Sequence, residues 1–155
     1  MSLEQDLQQE RVIHLDISKL TQVEAGTTVK EVVAKMRKDG RNCAIILKDD
    51  AIIGIFTDRD LLRKVVDAPE TWDTPIDNLM SGPPITVNAS DPAFAALDLM
   101  DQKHFRNVPV IDNKGKLVGN LTHYAIIKYL ADRFPESVYN LPPHPGRVTK
   151  NRDGA

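Results

Sequence analysis

Thr57 and Asp60 are the two side chains of this sequence best suited to bind a ligand. A carboxylate can accept hydrogen bonds from both hydroxyls of a ribose, and each charge-assisted bond contributes about 1.5–3 kcal/mol. A helix start offers its free amides to a phosphate, and the Thr57 hydroxyl can add a donor. Thr-x-x-Asp before Leu61 is also a capping box, which stabilises a helix by about 1 kcal/mol. Spacing alone therefore leaves ligand binding and helix capping as alternatives.

Other reactive residue types give weaker signals. Asp58 and Arg59 follow the same turn, and Arg59 is either a phosphate contact or an ordinary exposed arginine. Cys43 opens an apolar run, so we expect a small buried hydrophobe. The histidines lack metal-ligand spacing, and there is no Gly-rich phosphate loop, Ser-His-Asp signature or paired-acid pattern. We therefore predict neither an enzyme nor a metal site.

The elements that position these residues occur twice. Residues of the second copy follow those of the first by 64 positions and later by 65, as in the pairs Val23 and Val87, Met36 and Met100, Gly54 and Gly119, and Thr57 and Thr122. The change of the offset from 64 to 65 predicts one extra residue in the second copy, near residues 103–105. Each copy alone is too short to bury its apolar faces, so we expect the two to pack together. The seam between them is a natural place for a ligand.

Each copy is predicted to be a strand, a helix, a hairpin and a second helix. Apolar residues at helical spacing mark the first helix of each copy, namely Val29, Val32, Val33 and Met36 in one and Ala93, Ala96, Leu97 and Met100 in the other. Thr28 with Glu31 predicts a capping box and Gly40 a helix stop, whereas Asp91 and Pro92 are expected to begin the later helix. The copies span residues 12–67 and 85–132, separated by a linker over 68–84 with a short helical turn.

Composition narrows the class of protein. A 155-residue chain with 41% hydrophobic and 27% charged residues can bury one core, and a net charge of −2 argues against nucleic-acid binding. A single cysteine excludes an intramolecular disulfide and favours the cytoplasm. No segment approaches the run of about 18 apolar residues that spans a membrane. Residues 133–155 read as a Pro-rich, partly basic tail that is extended or disordered.

The two copies resemble the cystathionine-β-synthase (CBS) domain, and their tandem resembles a Bateman module. The resemblance rests on the ordered motifs Gly54-Ile-Phe-Thr57-Asp-Arg-Asp60, Asn107-Val-Pro-Val-Ile-Asp112 and Gly119-Asn-Leu-Thr122. It implies an α/β (α+β) fold in which two β-α-β-β-α repeats pack sheet to sheet with pseudo-two-fold symmetry. It also implies a homodimeric regulatory module that binds AMP, ADP or ATP in clefts between the repeats. The chain has no room for a second domain, so we expect the free-standing bacterial type.

Within this resemblance the ligand role of Thr57 and Asp60 is favoured, and both roles hold if the cap opens to the ligand. The second copy departs from the pattern because Ala125 stands in the place of Asp60, while Thr122 remains beside His123 and Tyr124. His123 can contact a phosphate and Tyr124 can stack on a base, or both are ordinary surface residues. The second cleft is therefore a weaker site, a site for a ligand without a ribose diol, or empty.

The resemblance further implies that backbone groups near the strands read the base. The positions that correspond are Leu20, Thr21, Gln22, Cys43 and Ala44 in the first copy and Ile85, Thr86, Val108 and Pro109 in the second. Arg41 and Arg106 recur in register, and each either approaches a phosphate or closes a helix. The resulting prediction is a sensor that binds an adenosine-containing molecule, without an obligatory cofactor, and signals to an unknown protein. The alternative is a ligand-free module for protein interaction or dimerisation.

Overall fold

The computed structural model describes residues 2–134, and the predicted Pro-rich tail lies outside them from Pro135 onward. The helices are α1 Leu3–Gln9, α2 Val29–Asp39, α3 Asp58–Lys64, α4 Ala93–Lys103 and α5 His123–Arg133. The strands are β1 Gln22–Glu24, β2 Cys43–Lys48, β3 Ala51–Thr57, β4 Val87–Asn88, β5 Asn107–Ile111 and β6 Leu117–Thr122. Short 3-10 helices occupy Val12–His14, Pro69–Asp73 and Ile76–Asn78. None of the helices within residues 2–134 has the length and apolarity needed to cross a bilayer.

Each copy forms a three-stranded sheet with the same topology. In the first sheet β1 runs parallel to β2, and β2 forms an antiparallel hairpin with β3. In the second sheet β4, β5 and β6 repeat this arrangement. Ile45 and Leu47 of one sheet pack against Leu117 of the other, with Leu20 and Ile52 at the edges of the contact. The predicted α/β fold of two repeats packed sheet to sheet is confirmed.

The strand register corrects the position of the extra residue. Thr57 pairs with Cys43, and its counterpart Thr122 pairs with Asn107, so the offset between the copies is still 64 at the start of β5. It becomes 65 only in the hairpin turn, because Leu47 faces Ile52 whereas Ile111 faces Leu117. The prediction that the insertion lies near residues 103–105 is wrong. Longer turns are tolerated at little cost, since they lie at the surface and carry no core contacts.

The two copies exchange short extended segments. Asn120 of β6 donates its backbone N–H to the carbonyl of Ile17 at 2.8 Å, although Ile17 belongs to the first copy, ahead of β1. Ser81 of the linker forms an antiparallel pair with Ile55 of β3, with N–O distances of 2.9 and 3.2 Å, whereas Ser18 pairs with Asn120 in the parallel orientation. Gly119 and Gly54 lie at these two crossings, where an added Cβ would come within 2.5 Å of the Ile17 carbonyl oxygen and 2.7 Å of the Ser81 carbonyl oxygen. Glycine is therefore required at both positions by close backbone approach.

Two main cores lie between the helices and their sheets. The first contains Val29, Val32, Met36, Ile46, Phe56 and Ile76, and the second contains Val12, Ala96, Met100, Val108, Leu121 and Ile126. Helix α1 belongs to the second core because Leu7 is 2% exposed within it. Asp6 of α1 is also buried, and its carboxylate accepts hydrogen bonds from Tyr129 and Arg133 of α5. The N-terminal residues Leu3–Gln9 thus form a helix that packs against the second copy.

The helix caps agree with the sequence in the first copy and differ in the second. Thr28 and Glu31 form the predicted capping box, and Gly40 ends α2 in the left-handed conformation with φ 65°. In the second copy α4 begins at Ala93, after Pro92, without a side-chain cap. The Asp91 carboxylate instead accepts a hydrogen bond from the backbone N–H of Asn88 at 2.9 Å, which stabilises the preceding turn. The prediction of Asp91 as a cap is therefore wrong.

Candidate functional site

Two clefts lie at the junction of the copies, and each is built from both. The first cleft has a volume of about 570 Å³ and is lined by the start of α3, by residues 81–85 at the end of the linker and the beginning of the second copy, and by residues 104–107 of the second copy. The second cleft has a volume of about 350 Å³ and is lined by the start of α5, the N-terminal residues Asp16 and Lys19, and residues 40–43 and 106–107. The clefts are thus related by the same pseudo-symmetry as the repeats, and both volumes suit small molecules.

Asp60 and Thr57 meet in the wall of the first cleft. Asp60 Oδ2 accepts hydrogen bonds from the Thr57 backbone N–H at 3.0 Å and the Thr57 hydroxyl at 3.3 Å, while the Asp60 N–H donates to Thr57 Oγ1 at 3.2 Å. Asp60 Oδ1 accepts from the Ser81 hydroxyl at 3.4 Å and lies 3.2 Å from the Lys64 ammonium. The predicted capping box is present. Since the Asp60 side chain is 12% exposed and lines the cleft, capping and ligand contact share one carboxylate.

The rest of the first cleft combines charged groups with an apolar wall. Asp58 and Arg59, both predicted from the sequence, line it, and Asp58 Oδ1 accepts a hydrogen bond from the Arg59 N–H at 2.8 Å. The apolar wall is formed by Ile55, Leu62, Pro83, Pro84, Ile85 and Phe105. Arginine side chains also reach this space from α3 and from the second copy. Such a surface can hold a sugar diol, a flat apolar ring and an anion together.

The second cleft presents a different surface. Thr122 caps α5 by accepting a hydrogen bond from the Ala125 N–H at 3.2 Å, without a carboxylate partner. His123 and Tyr124 line the cleft with their ring centroids 4.0 Å apart. Arg41 Nε and His123 Nδ1 are buried and have no hydrogen-bond partner in the described part of the chain. An unpaired buried polar group costs about 1–3 kcal/mol.

Seven predicted positions line neither cleft: Leu20, Thr21, Gln22, Ala44, Thr86, Val108 and Pro109. Thr21 is 2% exposed, its hydroxyl donates to Asp39 at 2.8 Å, and its carbonyl accepts from the Ile45 N–H at 2.9 Å. Residues 81–85 line the first cleft and Asp16 and Lys19 the second, whereas Ala44 and Val108 are fully buried and Gln22 is exposed away from both clefts. Of the strand-edge residues, Ile85 and Cys43 do line a cleft.

Cys43 faces the second cleft and is 3% exposed. Burial, reinforced by the charge of Asp58, raises the pKa of its thiol to about 12. The thiol therefore stays protonated at neutral pH, as expected for a packing residue rather than a nucleophile. Among residues 2–134 no group of three or more histidine, cysteine or acidic side chains is arranged to hold a metal ion.

Sequence reasoning missed residues that reach the clefts through the exchange and across the junction. Asp16 is one of them, and hydrogen bonds from the Ser18 hydroxyl and N–H hold the pKa of its carboxyl below the ordinary value. Asn42 and Asn107 line both clefts and are hydrogen-bonded to each other at 3.2 Å. Asn120, which is 1% exposed, donates to Asn107 at 3.1 Å. These three asparagines follow no periodic pattern along the chain, so only the fold shows that they lie together.

The profile of the CBS domain matches the chain twice, over residues 12–67 and 76–132. The chain belongs to the CBS domain family. It is a CBS pair of the regulatory type, as the tandem motifs predict, and each cleft described above lies between its two CBS domains.

Several proteins and solved structures are similar over much of this chain. An uncharacterised protein of Methanopyrus kandleri is 38% identical over 103 residues, which cover 65% of this chain and 53% of that protein. The CBS domain-containing protein CBSCBSPB1 of Arabidopsis thaliana is 30% identical over 118 residues, or 72% of this chain and 22% of that protein. This chain therefore spans about half, or less, of the length of these relatives. The crystal structure of CBSX2 of Arabidopsis thaliana in complex with AMP has a TM-score of 0.68 and 23% identity, over 79% of this chain and 97% of that one.

Proposed function

We propose that this CBS pair senses an adenine nucleotide, bound in the first cleft through Asp60, and signals to a partner protein. The observation that carries the proposal is the position of Asp60 in the wall of a cleft that both copies build and whose apolar lining includes Phe105. The structure of CBSX2 with AMP supports the ligand class, because that protein shares this fold. No obligatory cofactor is part of the proposal.

The bonds of Asp60 provide a route for the signal. A ribose diol that binds Asp60 competes with its two longest hydrogen bonds, from the Thr57 hydroxyl at 3.3 Å and the Ser81 hydroxyl at 3.4 Å. Ser81 belongs to the linker that crosses onto β3, so ligand binding changes how the linker is held against α3. A partner that distinguishes these two arrangements must, by linkage, alter nucleotide affinity equally.

We propose a second copy of this chain as one partner. The equivalent helices α3 and α5 expose apolar side chains at corresponding places, with Leu62 67% and Ile127 51% exposed. Val66 and Tyr124 are exposed apolar side chains of the same two regions, at 60% and 69%. Sedimentation velocity should show a dimer for the native chain and a monomer for the Leu62→Glu, Ile127→Glu double variant. A native monomer at all accessible concentrations would contradict this part of the proposal.

One observation favours a ligand-free interaction module instead. The Asp60 carboxylate already accepts hydrogen bonds from Thr57 and Ser81 and pairs with Lys64, so it has a structural role without any ligand. In that case the two clefts stay empty, and the exposed faces of α3 and α5 carry the function. The two functions differ in one measurable respect, namely the response of stability to nucleotides.

Nucleotide sensing and ligand-free interaction can be distinguished by a thermal-shift panel of AMP, ADP, ATP, NAD(H), S-adenosylmethionine and cyclic dinucleotides. A ligand at about 100 times its dissociation constant stabilises the folded state by about 2.7 kcal/mol. We expect at least one adenosine compound to raise the melting temperature of the native chain and of Asp101→Ala, an exposed acid outside both clefts. The shift should be lost in Asp60→Ala, with circular dichroism confirming that this variant folds. No shift with any compound would favour the interaction module.

A further inference from the structure

The outward faces of α2 and α4, the equivalent first helices of the two copies, carry opposite charge. The outward face of each helix is the side opposite its buried residues. In α2 this face holds Lys30, Ala34, Arg37 and Lys38, and in α4, 64 residues later, it holds Phe94, Asp98, Asp101 and Gln102. Three cations and no acid thus face outward on α2, whereas two acids and no cation face outward on α4.

Neither set of outward charges is neutralised by the chain itself. Within residues 2–134, no hydrogen-bond or ion-pair partner is present for the side chains of Lys30, Arg37, Lys38 and Asp101. Asp98 accepts one hydrogen bond from the uncharged amide of Gln102, at 2.9 Å. The two remaining charges of the α2 surface, Glu31 and Lys35, bond to the helix cap and to β1. None of the outward charges lines either cleft, so a ligand there does not account for them.

Both helices lie on the outer layers of the molecule, beside exposed apolar side chains. Ile45 and Leu117 belong to the contact between the two sheets. The opposite faces of the sheets are covered by α2 and α3 in the first copy and by α4 and α5 in the second. Leu62 of α3 is 67% exposed and Ile127 of α5 is 51% exposed. Each outer layer therefore presents an exposed apolar side chain next to a charged helix face.

A two-fold dimer that uses both outer layers has two arrangements. In a matched dimer, the first copy packs against the first copy of the partner and the second copy against the second. In a crossed dimer, the first copy packs against the second copy of the partner, and this contact occurs twice. The matched dimer places the cations of α2 opposite cations and the acids of α4 opposite acids, which is unfavourable. The crossed dimer places cations opposite acids at both contacts.

We infer that a second copy of this chain binds in the crossed arrangement, with α2 of one chain against α4 of the other. This inference rests on the dimer of the proposed function and adds its orientation. Arg37 and Lys38 then lie across from the partner's Asp98 and the partner's Asp101. The charges decide the orientation, because the exposed apolar side chains of α3 and α5 alone permit either arrangement.

The sign of the salt dependence distinguishes the two arrangements. Salt screens exposed charges, so it weakens attraction between opposite charges and repulsion between like charges. Sedimentation velocity of the full chain should therefore show the dimer dissociation constant rising as salt increases from about 0.02 to about 0.5 M. A dissociation constant that falls or stays constant over this range would overturn the crossed arrangement. A chain that stays monomeric at every concentration would contradict the proposed dimer itself, and the inference with it.

Charge reversal tests the orientation at the residues themselves. The Arg37→Glu, Lys38→Glu variant, checked for folding by circular dichroism, should raise the dimer dissociation constant at low salt by roughly tenfold or more. Adding Asp98→Lys and Asp101→Lys should restore dimerisation, because acids then face cations again. The matched control Lys114→Glu, Lys116→Glu changes the net charge equally in the exposed turn between β5 and β6 and should leave the constant within about twofold of the native value. In a matched dimer the first variant only replaces facing cations by facing acids, so native-like dimerisation of that variant, or failure of the rescue, would refute the crossed arrangement.

Discussion

Replacing Gly119 with alanine tests the exchange of segments that builds both clefts. An added Cβ at this position of β6 would lie 2.5 Å from the carbonyl oxygen of Ile17 and 2.7 Å from its Cγ1. The carbonyl cannot simply move away, because it accepts the hydrogen bond from the Asn120 N–H at 2.8 Å. The added methyl group would therefore clash with a carbonyl group that a hydrogen bond holds in place.

The expected cost follows from the two interactions at risk. Losing the bond between Asn120 and Ile17 removes about 1 kcal/mol, and forcing a methyl group into a packed crossing costs about 1–3 kcal/mol. Alanine also restricts the unfolded chain, which returns about 0.4–1 kcal/mol. Gly119→Ala should therefore lower the free energy of unfolding by roughly 2–3 kcal/mol.

Gly82→Ala is the matched control, because its added Cβ meets no atom within 4 Å and its φ is not in the left-handed region. Urea unfolding of the ligand-free proteins should place this control within about 1 kcal/mol of the native chain, on the stabilised side if it moves at all. If Gly119→Ala unfolds with the same free energy as Gly82→Ala, the N-terminal segment does not cross β6 as described.

Three further predictions concern α1, Cys43 and α5. Hydrogen bonds from Tyr129 and Arg133 lower the pKa of Asp6 below its ordinary 3.8, so its ionised form stabilises the fold above that pH. The native chain should therefore be more stable than Asp6→Asn at about pH 6, and this difference in the free energy of unfolding should shrink as the pH falls to about 3. Urea unfolding measures the difference, and a value independent of pH would refute the prediction. Cys43, with its pKa raised to about 12, should react with a thiol reagent only after unfolding, and rapid labelling of the folded chain would contradict its burial. Thr122→Ala removes the α5 cap and should cost about 1 kcal/mol by urea unfolding, whereas no loss would show that water replaces the cap.

The sequence was sufficient to predict the repeats because their signals are local. The capping boxes at Thr28 and Thr57, and the left-handed stop at Gly40, depend on side chains within one helical turn. The duplicated apolar stripes fix which helix faces pack against the sheets. These features depend on side chains at regular spacings, and such spacings can be recognised in a single sequence.

Features that depend on backbone pairing between distant segments were missed. Ile17 and Ser81 join the sheet of the other copy through main-chain hydrogen bonds. Because any residue can make such bonds, the neighbouring sequence does not predict these pairings. This exchange decides which residues line each cleft, and it explains why Asp16 lines one whereas Thr21 does not. The misplaced insertion has a related cause. Two consecutive matches, at Arg106 and Asn107, gave a plausible register that the strand pairing does not follow.

Calorimetric titration of the full chain with AMP tests nucleotide sensing most directly. Two charge-assisted hydrogen bonds to the Asp60 carboxylate contribute at least about 2 kcal/mol together, which corresponds to roughly a thirtyfold change in affinity. We predict saturable binding by the native chain and by Asp101→Ala, and at least that loss in folded Asp60→Ala. Equal affinities in all three proteins, or no heat of binding in the native chain, would contradict a ribose contact at Asp60.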